Sequence, residues 1–215
     1  MPLKSSVRGK SRIEVDPALR RRLVLAMAFD TVSAAAADGV RAVLVVLDDP
    51  ADGDELAEIG GVRILRTRAA DLNTAIGDGL AVVAGESASQ QNSPDDARPV
   101  AVLPADLPSL TPLELAGALQ AAAAHHLAVV ADRQGTGTTL LAASSIRWLQ
   151  PRYGGGSLDR HVNAGAVPLD LSVESGLRRD VDQADDLVGV TGPRTIAVLQ
   201  QAGWVPDLCA ARRAV

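Results

Sequence analysis

Three aspartates, a short basic stretch and two loops of small residues carry the side chains from which chemistry could be built. Asp106 stands in LPADLPSLTP, just past the apolar run Val100–Leu103, bracketed by Pro104 and Pro108. Proline fixes its own φ and restricts the residue before it, so the backbone is held on both sides of this carboxylate. A solvated turn acid is the plain alternative. Rigid presentation at a strand end is what a metal ligand needs. Asp180 and Asp182, in RRDVDQADDL, share one face of an extended segment. Neighbouring like charges cost energy unless a cation offsets them. The competing reading makes Asp182 a helix cap, which explains one acid of the pair.

Lys4, Lys10 and Arg12 are interleaved with Ser5, Ser6, Gly9 and Ser11. Such a loop can fold around a polyphosphate with backbone N–H groups as donors; a basic tail is the alternative. It contains no Walker pattern. DRQGTGTTLL places Gly135 and Gly137 among Thr136, Thr138 and Thr139, the composition of a tight turn between two strands or of a ligand loop. RYGGGSLDRH sets Gly154, Gly155 and Gly156 before Ser157. A glycine-rich loop entering a helix with a serine cap is a phosphate-binding arrangement, with a plain linker as its alternative. His125, His126 and His161 show no zinc spacing, and no Ser–His–Asp or Cys–His set is visible. Covalent catalysis therefore has little support.

These residues need elements to position them. Asp16-Pro17 starts a helix expected to run to about Asp38, with Gly39 as its stop. Strands are predicted at 41–47, 62–65, 100–103, 127–131, 138–143 and near 167–171. Helices are predicted at 55–59, at 72–84 after Asp71, from Pro112 to about His125, at 157–164 and at 193–202, with Asp182 or Gln183 opening another. Residues 85–99 read as a polar surface loop. Alternating strands and helices imply an α/β fold with a mostly parallel sheet and helices on both faces. Ligands of such sheets bind beyond the carboxyl ends of the strands, where Asp106 stands.

Composition narrows the classes. Hydrophobic residues make up 47% of the 215-residue chain and aromatics 2%, so Ala, Val and Leu must fill the core and few rings remain for stacking nucleic-acid bases. Net charge is −5, yet both lysines fall in the first ten residues and the other 19 cations are arginines. An acidic protein with a basic N-terminal segment suggests a local anion site rather than a DNA-binding face. Cys209 is the one cysteine, which excludes an intrachain disulfide and fits a reducing, cytoplasmic setting. No run approaches the roughly 18 apolar residues of a membrane helix. MPLKSSVRGK does not read as a secretory signal.

Taken in order, PLKSSVRGKSRI, DLNTAIGDGL, LPADLPSLT, ADRQGTGTTLL, PRYGGGSLDRH and RRDVDQADDL resemble the successive motifs of the CofC/FbiD-type guanylyltransferases, from about Pro2 to Leu187. The resemblance implies a single Rossmann-like nucleotidyltransferase domain, expected over residues 1–202 with a tail at 203–215. It implies guanylyl transfer from GTP to phosphoenolpyruvate or 2-phospho-L-lactate, with release of pyrophosphate, in biosynthesis of the deazaflavin coenzyme F-420. By the same resemblance Asp106, Asp180 and Asp182 hold Mg²⁺, with Asp106 and Lys10 catalytic. Lys4, Lys10 and Arg12 match the basic loop at the nucleotide phosphates, Asn73 the segment near base or ribose, and Thr138, Gly154 and Ser157 the acid site. The implied partners are GTP and a small phosphorylated three-carbon acid, with no nucleic acid, no membrane and a homodimer left open. Two departures are visible: only Met1-Pro2-Leu3 precede Lys4 where the family has a longer first strand, and the loop at 85–99 is long. The alternatives are a sugar-phosphate or molybdopterin nucleotidylyltransferase, whose glycine-rich first loop PLKSSVRGK lacks, and a non-catalytic nucleotide-binding module.

Overall fold

The computed structural model describes residues 1–3, 10, 12–37, 42–90 and 99–204. The chain runs β1 (Pro2–Leu3), α1 (Pro17–Ala35), β2 (Val43–Leu47), α2 (Asp54–Ala57), β3 (Val62–Arg66), α3 (Leu72–Gln90), β4 (Val100–Val102), α4 (Pro112–Ala122), β5 (Leu127–Ala131), β6 (Thr138–Ala143), α5 (Ser157–Asn163), β7 (Val167–Pro168) and α6 (Pro193–Gln201). The helix starts follow the sequence. The Asp16 carboxylate accepts from the N–H groups of Ala18 at 2.8 Å and Leu19 at 3.2 Å, ahead of Pro17. Asp71 does the same for Asn73 and Thr74. Thr111 and Glu114 close a reciprocal capping box on α4. Each cap is worth about 1 kcal/mol.

The α/β, Rossmann-like class holds, and its parallel pairing is unevenly distributed. β1-β2-β3 is wholly parallel, whereas β4-β6-β5-β7 pairs β4 and β5 antiparallel to β6 and only β5–β7 parallel. The cause is local. Asp132 accepts the N–H groups of Thr136 at 2.9 Å and Gly137 at 2.7 Å, which folds DRQGTG into the hairpin joining β5 to β6.

Both faces of the sheet are covered. Ala128, Val130, Leu140 and Ala142 pack into one core with Leu23, Met27, Leu115 and Leu199 from α1, α4 and α6. Their neighbours Leu127, Val129, Leu141 and Ala143 pack into a second core with Ile76 from α3 and, at its margin, Leu158 from α5. This is the period-2 alternation of a buried strand. Among the described residues no helix is long and apolar enough to cross a membrane.

Several boundaries differ from expectation. α1 ends at Ala35, whose follower Ala36 donates to the Val32 carbonyl at 2.8 Å; the expected stop, Gly39, lies outside the described residues. α3 continues to Gln90, through residues read as loop, because Glu, Ala, Ser and Gln are all compatible with a helix. Residues 91–98 of that loop and 205–215 of the expected tail lie outside the described residues. α4 stops at Ala122, before His125. Gly156, not Ser157, occupies the N-cap of α5, and Gln183, not Asp182, caps the short 3-10 turn Ala184–Leu187.

α3 lies close on β2. A Cβ added to Gly79 would stand 2.8 Å from Val46 Cγ2, a β-branched tip with little room to move. Helix propensity alone would favour alanine there by about 1 kcal/mol, whereas overpacking costs about 1–3 kcal/mol. We expect Gly79→Ala to lower stability in urea unfolding. Val46→Ala should cost less on that background than alone, and additive losses would remove the steric explanation.

Candidate active site

The loop that carries Asp106 is fixed at nearly every residue. Ala105 and Leu107 are buried on either side of it. The Leu107 N–H donates to Thr31 Oγ1 at 3.0 Å, and the Asp106 carbonyl accepts the Val181 N–H at 3.1 Å. Ser109 Oγ accepts the Thr191 N–H at 3.2 Å, and Gly176 lies so near the Ser109 carbonyl that any Cβ there would collide with it. The prolines are therefore one part of a larger clamp, and the backbone bond to Val181 ties Asp106 to the second acidic segment.

In that segment Val181 is buried in the core, which turns Asp180 and Asp182 to the opposite face, as their spacing predicts. Arg178 and Arg179 hold the stretch through main-chain carbonyls, Arg178 on Asp132 and Leu171 and Arg179 on Val188. Asp186 Oδ2 accepts the N–H groups of Asp182 and Gln183 at 2.9 and 2.8 Å. Asp186 takes the reciprocal part in the turn's capping box, and the Asp182 carboxylate has a partner of its own.

That partner is Lys10. Its Nζ lies 2.5 Å from Asp106 Oδ2 and 2.6 Å from Asp182 Oδ1. Burial works against the ammonium charge, but Asp106 and Asp182 outweigh it and push the Lys10 pKa up, so it stays protonated. Asp180 shows the opposite response. Burial first, then the negative charges of Asp106 and Asp182, raise its carboxyl to about 7 despite Lys10.

The residues fit a hard divalent cation. Asp106 Oδ1 and Asp180 Oδ1 are buried with no hydrogen-bond partner, and carboxylate oxygens are the donors Mg²⁺ prefers. Among the described residues no three His, Cys, Asp or Glu side chains are drawn up at metal-ligand spacing; Asp106 and Asp182 are turned onto the Lys10 ammonium instead. Arg12 is exposed two residues beyond Lys10, and Lys4 lies outside the described residues. A cavity of about 560 Å³ opens at the carboxyl ends of β1, β2 and β3, lined by Pro2, Leu3, Leu47, Asp48, Arg68 and Asp71 among others. Leu3, at the end of β1, lines this cavity, and Lys10 follows seven residues later in the sequence.

A second, uncharged group forms where the hairpin meets α5. Thr138 and Ser157 are both buried, their hydroxyl oxygens 3.2 Å apart. Gly154 lies in the adjoining loop, which Arg160 braces through the Arg152 carbonyl at 3.0 Å and the Gly155 carbonyl at 2.5 Å. Asn73 meets this loop rather than the cavity: its Oδ1 accepts the Tyr153 N–H at 2.8 Å and its Nδ2 donates to the Tyr153 carbonyl at 3.1 Å. The expected nucleotide contact is thereby reduced to the one N–H left on its amide. Sequence reasoning passed over His161, which is wholly buried with Nδ1 at 2.9 Å from Thr138 Oγ1. Its position four residues after Ser157 on one helix face was the available signal.

Comparison with known proteins identifies relatives of the whole chain. The family model described as "Guanylyl transferase CofC like" matches residues 1–191. A protein of Streptomyces scabiei named phosphoenolpyruvate guanylyltransferase is 45% identical, covering 92% of this chain and 93% of its own. One of the same name from Streptomyces coelicolor is 43% identical over the same shares, and one from Nocardia farcinica is 39% identical, covering 91% of this chain and 87% of its own. Among solved structures, a Desulfovibrio desulfuricans protein described as a nucleotide-diphospho-sugar transferase aligns with a TM-score of 0.66 at 15% identity, over 94% of this chain and 93% of its own. The 4-diphosphocytidyl-2C-methyl-D-erythritol synthase of Anaerococcus prevotii aligns with a TM-score of 0.53 at 12% identity, over 88% and 94%. At such identities these two show the fold alone.

The raised Asp180 carboxyl has a measurable sign. Its ordinary value is 3.8 and its folded value about 7, so the native state binds the extra proton between them. The stabilisation is complete below about pH 4 and is lost as pH rises through 7. In EDTA, Asp180→Asn should melt closer to, or above, the unsubstituted protein at about pH 8 than at about pH 5. Parallel melting curves across that range would show that the carboxyl ionises normally.

Proposed function

The chain belongs to the CofC-like guanylyl transferase family, and from that membership we propose that it transfers GMP from GTP to phosphoenolpyruvate, or to 2-phospho-L-lactate, with release of pyrophosphate, in biosynthesis of the deazaflavin coenzyme F-420. The observation that carries this reading is the meeting of Asp106 and Asp182, distant in sequence, on one ammonium group, with Asp180 near enough for their charges to raise its carboxyl.

The chemistry asks little proton transfer of the protein. A phosphate monoester has a second pKa of about 6, so its attacking oxygen is already an anion at neutral pH. The difficulty is bringing that anion to the α-phosphorus of an anionic triphosphate. A divalent cation, with Mg²⁺ favoured by the all-oxygen donors, would supply charge neutralisation there when held by Asp106, Asp180 and Asp182. Lys10 adds a fixed positive charge facing the nucleotide phosphates, reinforced by Arg12 and Lys4. The cavity beyond β1 and β2 accommodates the guanosine. Thr138, Gly154 and Ser157 hold the acid. Catalysis is then positioning and charge stabilisation. A cytoplasmic location accords with substrates that are intracellular metabolites.

The direct test mixes the protein with GTP, Mg²⁺ and each acid in turn, alongside a panel of sugar phosphates, and follows the guanosine-diphosphate-linked product by mass and pyrophosphate by release assay. Turnover on a sugar phosphate and on neither acid would overturn the reading. Asp106→Asn should lower kcat by at least about 100-fold, the scale of one lost charge-stabilising group, while melting within a few degrees of the unsubstituted protein. Undiminished activity at saturating Mg²⁺ would remove Asp106 from this role. Ser157→Ala should raise KM for the acid and leave KM for GTP unchanged.

A further inference from the structure

His161 is fully buried on α5 and is held at both ring nitrogens. Nε2 accepts the backbone N–H of Arg152 at 2.9 Å, and Nδ1 faces Thr138 Oγ1 at 2.9 Å. The Arg152 peptide is itself braced: its carbonyl accepts from Arg160 Nε, and the next residue is clamped by Asn73. Tyr153 packs edge-on against the ring with centroids 5.2 Å apart. Burial, aided by Arg160 and Arg152, lowers the imidazole pKa to about 4, so the ring is neutral under working conditions. A neutral imidazole carries one N–H and one bare nitrogen. A backbone amide can only donate, so Nε2 is the bare nitrogen and the proton sits on Nδ1.

The tautomer decides what the adjoining hydroxyls can do. Thr138 and Ser157 together carry two hydroxyl protons. With the ring proton on Nδ1, the ring donates to Thr138 Oγ1. One hydroxyl proton closes the bond between Thr138 and Ser157, and the other is left over. With the opposite tautomer, Thr138 would donate to Nδ1 and Ser157 to Thr138, and neither proton would remain. The pair therefore offers a ligand one donor or none, according to the state of this ring.

We propose that His161 is a positioning residue of the acid site: its Nδ1–H, fixed by the Arg152 amide on the other nitrogen, keeps one hydroxyl proton of the Thr138–Ser157 pair free to donate to an anionic oxygen of the acid substrate. The inference rests on the reading of Thr138 and Ser157 as acid-binding residues. His161 touches neither substrate and acts through the hydroxyls.

The first test uses the unsubstituted protein labelled with ¹⁵N-histidine. Two-bond ¹H–¹⁵N spectra should give His161 a protonated Nδ1 and a bare Nε2 at neutral pH; a protonated Nε2 would overturn the proposal outright. The second uses kinetics. An asparagine amide can occupy the place of Nδ1, whereas a glutamine amide reaches that of Nε2. His161→Gln and His161→Phe should raise KM for the acid by about tenfold, the scale of one hydrogen bond to a charged group, with KM for GTP unchanged. His161→Asn should recover most of that loss. Because the ring acts through Thr138, His161→Gln should add little to Thr138→Val. If Thr138→Val leaves KM for the acid unchanged, the acid-site reading fails. If Thr138→Val raises it while His161→Gln does not, or if asparagine is no better than glutamine, the positioning role fails and the acid site stands.

Discussion

The carboxylates of Asp106 and Asp182 close on the ammonium of Lys10, with the half-buried Asp180 beside them, and the segments that carry them are restrained to hold that arrangement. Two like charges about 4 Å apart near a protein surface repel by about 4 kcal/mol, so such acids would separate if their backbones were free to move. Lys10 offsets part of this repulsion, and its own backbone bears a cost in doing so. It is the one non-glycine among the described residues with a left-handed conformation, at φ 54°, which costs about 1–2 kcal/mol. That strain is smaller than the electrostatic energy at stake, so the conformation that delivers the ammonium is retained.

The fold supplies the restraint. Asp106 leaves the end of β4 on a loop whose neighbours are buried, whose N–H groups and carbonyls are bonded to α1 and to the 181 segment, and against which Gly176 fits without a side chain. Asp180 and Asp182 are brought to it by a strand-like stretch with Val181 in the core and the two preceding arginines anchored on main-chain carbonyls. Neither segment can relax without breaking hydrogen bonds in the other. Restraint of this kind holds an electrostatically unfavourable cluster in place.

How much of this was legible in the sequence depended on the range of the interaction. Caps at Asp16, Asp71 and Thr111 involve residues within three positions, and all three formed. The strands at 127–131 and 138–143 follow from apolar runs and a glycine turn, and their bounds are those observed. Asp106 and the Asp180/Asp182 pair stood out because proline and period-2 spacing are local signals. What remained hidden was tertiary. That Asp186, not Asp182, completes the cap at Gln183, that Asn73 is occupied by Tyr153, and that His161 is held by the Arg152 amide depend on partners from 3 to 80 residues away with no fixed spacing. The tail of α3 escaped notice for a different reason, since a polar helix and a polar loop share a composition.

The two half-sites differ in charge, and the difference suits the proposed reaction. Around Lys10 the groups are ionic, as a triphosphate and its counter-cation require. The groups in contact with Thr138 are neutral, a hydroxyl and an uncharged ring, and Arg152 and Arg160 stand behind them on the adjoining loop and helix. A hydroxyl donor orients the anion and leaves its nucleophilic charge largely in place. The halves are nevertheless joined mechanically. Asp132 folds the turn that leads into Thr138, and its main-chain carbonyl accepts from Arg178, two residues before Asp180. One arginine thus links the turn before the hydroxyl pair to the segment that bears the carboxylates. The two groups are therefore held relative to one another by the protein's own hydrogen bonds.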